Sequence, residues 1–173
     1  YVATKKDANA EGSRVGIEAG ATYTINDLLL ALMLPSGNDA ASALANANGG
    51  WPVTLAQMNG EARRLGAMNT VVKNPSGLDS PGHYSTAYDL MTIFRAGLEI
   101  PLFRQLVGTK TAHFPGEMPK PSTKLTAYPI SNHDRLLQQN YPGIIGGKTG
   151  YTTNAGRTFV GAATRNGHTL LIA

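Results

Sequence analysis

Three features of this 173-residue chain predict an α+β fold, a helical lobe packed on an antiparallel sheet. Capped segments of helical period occupy the residues from about 24 to 107. Extended segments punctuated by glycine and proline occupy the remainder. Near the end, Asn166-Gly167 separates two strand-like runs and is a strong two-residue hairpin turn.

The first twenty-five residues are polar and glycine-rich and read as loop with short extended pieces. Thr24 or Asn26 can cap a helix running from Asp27 to Leu34, which is apolar on nearly every face and should therefore be buried. Pro35 stops it, and an alanine-rich helix begins at Asp39 and runs to Ala47. Thr54 to Leu65 reads as a third helix with Leu55, Met58, Ala62 and Leu65 on one face and Gly66 as its C-cap. A dense turn segment, residues 74–82, follows.

Thr86, with Asp89 three residues on, resembles a capping box. It opens a helix whose inner face is Leu90, Ile93, Phe94, Gly97 and Leu98. Pro101 starts a short helix through Val107. Residues 109–130 read as a hairpin or loop over one side. The strand from Ile144 to Thr152 and the hairpin after Gly156 complete the order. The return strand, residues 168–173, stops without a turn or polar tail, and Tyr1-Val2-Ala3 begins as abruptly. Buried strands seldom end domains, so the expectation is a fold incomplete at both ends, with residues 1–173 forming part of a single domain.

Composition removes several function classes. The net charge of +4 comes from scattered lysines and arginines without a basic run or aromatic stripe, which disfavours nucleic-acid binding. With no cysteine there is neither a disulfide framework nor a thiolate metal site. No apolar run approaches the ~18 residues of a membrane span, and no signal peptide is visible. His83, His113, His133 and His168 lack metal-ligand spacing, so neither a metal nor a cofactor is expected.

Two short motifs carry chemistry. Lys148-Thr149-Gly150 lies between Ile144-Ile145-Gly146-Gly147 and Tyr151-Thr152. An ammonium and a hydroxyl on an apolar strand make a receptor for a carboxylate, and glycines at 147 and 150 would let a ligand backbone pair with the strand edge. The alternative is an exposed turn after a strand. Ser36-Gly37-Asn38 sits on the tight connection between two helices. Its serine could relay a proton, and the Asn38 amide could donate to a ligand carbonyl while its oxygen accepts from a lysine. Both residues also read as helix N-caps. Arg157 on the neighbouring strand is a secondary candidate for a ligand carboxylate, whereas Asp79 and Asp89 suit capping or pairing.

Five segments occur in order: residues 35–41 (Pro-Ser-Gly-Asn-Asp-Ala-Ala), Met58-Asn59 with Ala62–Gly66, Ser76–Asp79 with Ser85–Leu90, Asn132–Leu137, and Gly147–Thr152. Together they resemble the low-molecular-weight penicillin-binding proteins, the serine-type D-alanyl-D-alanine carboxypeptidases of peptidase family S11. The resemblance covers the chain from about Ile17 onward. It implies the DD-peptidase and β-lactamase transpeptidase fold. It also implies trimming of peptidoglycan stem peptides through an acyl-enzyme, inhibition by β-lactams, and an extracytoplasmic location, with any membrane anchor outside this chain.

Carried over residue by residue, the resemblance makes Ser36 the proton relay to the departing amine. Asn38 becomes the residue that orients the substrate amide and the catalytic lysine. Lys148 and Thr149 bind the terminal carboxylate, beside Gly150, and the backbone N–H of Tyr151 supplies half of an oxyanion hole. One signature is missing. No serine in residues 1–173 is followed three positions later by lysine, and Ser122-Thr123-Lys124 has the wrong spacing. The nucleophile is therefore expected in a segment preceding residue 1, and residues 1–173 alone should be inactive. Alternatives are a wall-binding homologue without the nucleophile, or a β-lactamase or DD-endopeptidase on the same scaffold. No glutamate resembling a β-lactamase deacylating residue precedes the Lys-Thr-Gly strand.

Overall fold

The computed structural model of the chain describes residues 1–116 and 126–173. The middle of the 109–130 stretch and the Ser122-Thr123-Lys124 triplet lie outside the described residues. Helices α1 (Lys5–Ala8), α2 (Ile25–Met33), α3 (Asn38–Ala47), α4 (Trp51–Arg64), α5 (Ala87–Leu98) and α6 (Pro101–Val107) come first. They are followed by β1 (Thr111–Phe114), β2 (Tyr128–Ser131), α7 (Arg135–Gln138), β3 (Ile144–Thr152), β4 (Gly156–Arg165) and β5 (His168–Ile172). β1 and β2 form one antiparallel pair; β3, β4 and β5 form an antiparallel sheet in that order. The fold is mixed α+β, as the helices-then-strands order predicts.

The helix starts follow local chemistry. Thr24 accepts the Asp27 N–H at 3.0 Å and opens α2, and Thr86 accepts the Asp89 N–H at 3.1 Å and opens α5. Leu28, Ala31 and Leu34 are fully buried, and the small side chains of Ala40 and Ala43 let α3 pack against them. A second cluster joins the sheet to the helices: Val160, Ala162, Ile145 and Leu171 pack on Phe94 and Leu98 of α5, Val107 of α6 and Met33 of α2. This contact brings one face of β3 toward the α2–α3 connection.

Several expectations are corrected. The first twenty-five residues are not loop throughout, because Thr4 and Asp7 form a reciprocal capping box that starts the single-turn α1. Helix α4 begins at Trp51, three residues early, since Pro52 is pre-set for a first helical turn. Only Ala62 on its apolar face is buried. Met58 and Leu65 instead line an open apolar cavity of about 370 Å³ with Val72 and Ile93. Leu90 is exposed, so the inner face of α5 narrows to Phe94 and Leu98. The Asp89 carboxylate does not complete a capping box; it accepts from Asn69 N–H at 2.7 Å and Thr70 Oγ1 at 2.8 Å. The β4–β5 turn has positive φ at both Asn166 and Gly167, as the hairpin requires. However, β5 is not a buried strand: Leu170 is 72% exposed and Ile172 54%.

Candidate active site

Ser36 and Lys148 meet across 112 residues of sequence, with the Lys148 ammonium donating to Ser36 Oγ. Helix α2 ends at Leu34 and Pro35, and Ser36 then takes a left-handed backbone conformation with φ of +59°. That conformation is uncommon for a residue with a side chain and stores roughly 1–2 kcal/mol of strain. Gly37 N–H donates to Ala31 O at 2.9 Å, closing the turn back onto α2. The N-cap position of α3 is Gly37, which makes no side-chain cap bond. Neither Ser36 nor Asn38 therefore acts as the cap, and the serine hydroxyl is left for Lys148.

Lys148 lies opposite Val160 in the β3–β4 register, on the sheet face that packs on the helices. Its ammonium also donates to Thr149 O at 2.8 Å. Among the described residues no carboxylate neutralises it: the one ion pair between described residues is Glu61–Arg64, on α4. Burial away from water pushes the Lys148 ammonium down to about 8. A cation held out of water without an anion is set up to receive one.

Thr149 is half-buried, and its hydroxyl makes no hydrogen bond among the described residues. Gly150 and Tyr151 are exposed, Tyr151 by 70%. Among the described residues β3 pairs only with β4, so no described strand occupies its second edge; the end of α6 packs on β3 at Ile145 and Gly146. The glycines of this strand have a reason inside the sheet. A Cβ at Gly147 would sit 2.6 Å from the Phe159 ring, and one at Gly150 would sit 2.6 Å from Thr158 Oγ1. At Gly147 the Val160 carbonyl would also lie 2.7 Å away, so β4 requires a small residue there whether or not a ligand approaches; at Gly150 the crowding atom belongs to an exposed side chain that can turn away.

Asn38 is the first residue of α3, two residues from Ser36. Its amide Nδ2 donates to Glu11 O at 2.7 Å, so one of the hydrogens expected for a ligand is already engaged. Arg157 is exposed at the position facing Tyr151 across the sheet, and its side chain makes no ion pair among the described residues. Asp79 accepts the Asn154 N–H at 3.1 Å, tying residues 74–80 to the β3–β4 turn. Asn38, Glu11, Ser76 and Asp79, with Trp51 and Leu78, line a cavity of about 290 Å³ of mixed polar and apolar character. Sequence reasoning gave residues 11–17 and Asp39 no place at the site: Glu11 and Ser13 meet Asn38 through backbone carbonyls, and the Asp39 carboxylate meets the backbone N–H groups of residues 15–17, partners that leave no mark in side-chain patterns.

Many other motif residues are scaffold. Asn59 bridges α4 to Val72 through both ends of its amide. Asn132 donates to Val107 O and Thr109 O and accepts from Asp134 N–H, and Asp134 caps α7. Asn74 closes the turn at residues 74–78.

A family model described as D-alanyl-D-alanine carboxypeptidase, peptidase S11, matches residues 1–173. The chain belongs to peptidase family S11. Among its S11 relatives, DacB2 of Mycobacterium tuberculosis, a D-alanyl-D-alanine carboxypeptidase, is 49% identical, covering 99% of this chain and 57% of that protein. DacF of Bacillus subtilis is 34% identical, over 86% of this chain and 36% of its own length. The crystal structure of a D-alanyl-D-alanine carboxypeptidase from M. tuberculosis superposes with a TM-score of 0.90 at 48% identity. That match covers 99% of this chain and 63% of that one. The Streptomyces K15 DD-transpeptidase gives 0.82 at 35% identity, over 93% of this chain and 63% of that one. The S11 chain described here thus spans less than two thirds of these relatives.

Proposed function

We propose that residues 1–173 are part of the catalytic domain of a serine-type D-Ala-D-Ala carboxypeptidase that removes the terminal D-alanine of peptidoglycan stem peptides. The observation that carries this reading is the contact between Lys148 and Ser36, in which a desolvated ammonium with no counter-ion among the described residues grips a strained serine. A stem peptide would lie along the second edge of β3, its terminal carboxylate held by Lys148 and the Thr149 hydroxyl.

The nucleophile is the serine of a Ser-x-x-Lys segment outside these residues. Its oxygen adds to the carbonyl of the penultimate D-alanine as its proton passes to the paired lysine. Collapse of the adduct breaks the C–N bond, and Ser36 delivers a proton to the departing D-alanine nitrogen. The backbone N–H of Tyr151 stabilises the oxyanion. Water then hydrolyses the ester and frees the enzyme. β-Lactams acylate the same serine by ring opening, with no separate leaving group. The site requires no metal. An extracytoplasmic location follows from the substrate.

Intact mass of the full-length protein before and after benzylpenicillin tests the reading. One covalent adduct is expected; its absence in folded protein would favour a wall-binding role for the Lys148 pocket. Residues 1–173 alone should neither form the adduct nor turn over a D-Ala-D-Ala peptide.

A further inference from the structure

We infer that Asp39 is a positioning residue that orients the Asn38 side chain through the backbone of residues 11–17. The inference rests on the reading of Asn38 as a ligand-facing residue of the proposed peptidase.

Asp39 is fully buried and has no cationic partner among the described residues. Its carboxylate is satisfied by backbone instead. Oδ2 accepts N–H groups of Val15 at 3.0 Å, Gly16 at 2.9 Å and Ile17 at 3.2 Å, and Oδ1 accepts from Val15 at 3.1 Å and Ala40 at 3.0 Å. Successive N–H groups converging on one anion make a nest, here assembled from two segments more than twenty residues apart. It clamps residues 15–17 onto the first turn of α3.

The clamp governs the residues just before it. Asn38 N–H donates to Ser13 O at 2.7 Å, and Asn38 Nδ2 donates to Glu11 O at 2.7 Å. A carbonyl can only accept, so the side of the Asn38 amide facing Glu11 must be its NH2, which fixes the placement of Oδ1. The fit leaves no slack: Gly12 has φ of +78°, and a Cβ there would lie 2.5 Å from Asn38 Nδ2. Asp39 thus sets the height of the Glu11 carbonyl, and that carbonyl sets the rotation of the Asn38 amide beside Ser36.

The test is a double-mutant cycle in the full-length protein, reading the second-order rate of acylation by benzylpenicillin together with the melting temperature. Asp39→Asn keeps the shape but replaces one acceptor oxygen with a donor. A group displaced by about 1 Å costs on the order of 100-fold in rate. A loss approaching that size is expected for Asp39→Asn, and the loss should vanish when Asn38 is already alanine. Gly12→Ala, which pushes on the same amide without touching Asp39, should behave alike and serves if Asp39→Asn fails to fold. A loss of equal size in the Asn38→Ala background would overturn the inference, because the effect would not pass through Asn38.

The side-chain NH2 resonances of Asn38, followed by NMR, give a readout independent of turnover. Both variants should move them and speed their hydrogen exchange; unchanged resonances would also overturn the inference. If the wild-type protein forms no acyl adduct, the peptidase reading fails while the NMR arm still decides whether Asp39 holds Asn38.

Discussion

Asp7 and Lys148 are both charged groups held out of water, and the protein treats them oppositely. Asp7 is buried and saturated with donors: Thr4 N–H and Oγ1, Tyr1 OH, Ser42 Oγ and Asn46 Nδ2 all reach its oxygens within 2.7–2.9 Å. Burial pushes its carboxyl up, but the bonds from Thr4, Ser42 and Tyr1 outweigh burial and hold it below the usual carboxylate value. Among the described residues Lys148 has one serine hydroxyl and one carbonyl, no anion, and a proton affinity lowered by burial alone. A saturated charge cements α1 to α3. An unsaturated one has affinity to spare for a ligand.

The sharpest way to break this contrast is to remove each group in turn. Lys148→Met in the full-length protein should lower the rate of acylation by benzylpenicillin by about 100- to 1000-fold, the usual cost of losing a group aimed at developing or bound charge. Its melting temperature should hold or rise, because an unpaired, desolvated ammonium has been replaced by an apolar chain. A large drop in melting temperature would show that Lys148 is a structural residue after all. Asp7→Ala should do the reverse. It strands several buried donors and should cost about 3 kcal/mol in denaturant unfolding, while the acylation rate of the folded fraction stays within a few-fold of wild type.

Titration separates the two groups by pH. Lys148 has a folded value near 8, so its charge is lost as pH rises through about 8. The preference for a peptide with a free C-terminal carboxylate over its carboxamide should fall across that pH, as read by competition binding. Because the folded value lies below the unfolded 10.5, the unfolded chain binds the extra proton between the two. Stability owed to this group therefore rises with pH from about 8 to 10.5, and Lys148→Met should abolish the rise. Asp7 has the opposite sign: its contribution is present above the ordinary carboxylate pKa and is lost as pH falls through its lowered folded value. The smallest effect is expected from Arg157→Leu. An exposed guanidinium contributes up to about 1 kcal/mol, so binding of the carboxylate peptide should weaken by no more than about fivefold, with the carboxamide unaffected.

Much of this architecture is legible from residue order. Thr24 and Thr86 announce helix starts because their hydroxyls cap locally, and Asn166-Gly167 announces its turn because few other pairs tolerate positive φ twice. Amphipathic faces are less legible. Leu90 and Met58 carry the right period, yet a side chain is buried only where a partner surface exists, and none covers them among the described residues. Gly147 of β3 illustrates the same limit: the pattern suggests room for a ligand, while the Phe159 ring and the Val160 carbonyl already require a small residue.

The amino-acid sequence by itself determined the α+β order, the two polar motifs and the family, since each depends on local chemistry or on residues in a fixed order. The tertiary structure decided which groups act on which. It brought Lys148 to Ser36, turned the Asn38 amide toward Glu11, and gave Asp7 and Lys148 opposite environments. Proton affinity and hydrogen-bond partnership depend on water excluded and atoms approached in space, and residues 112 positions apart acquire those neighbours only when the chain has packed.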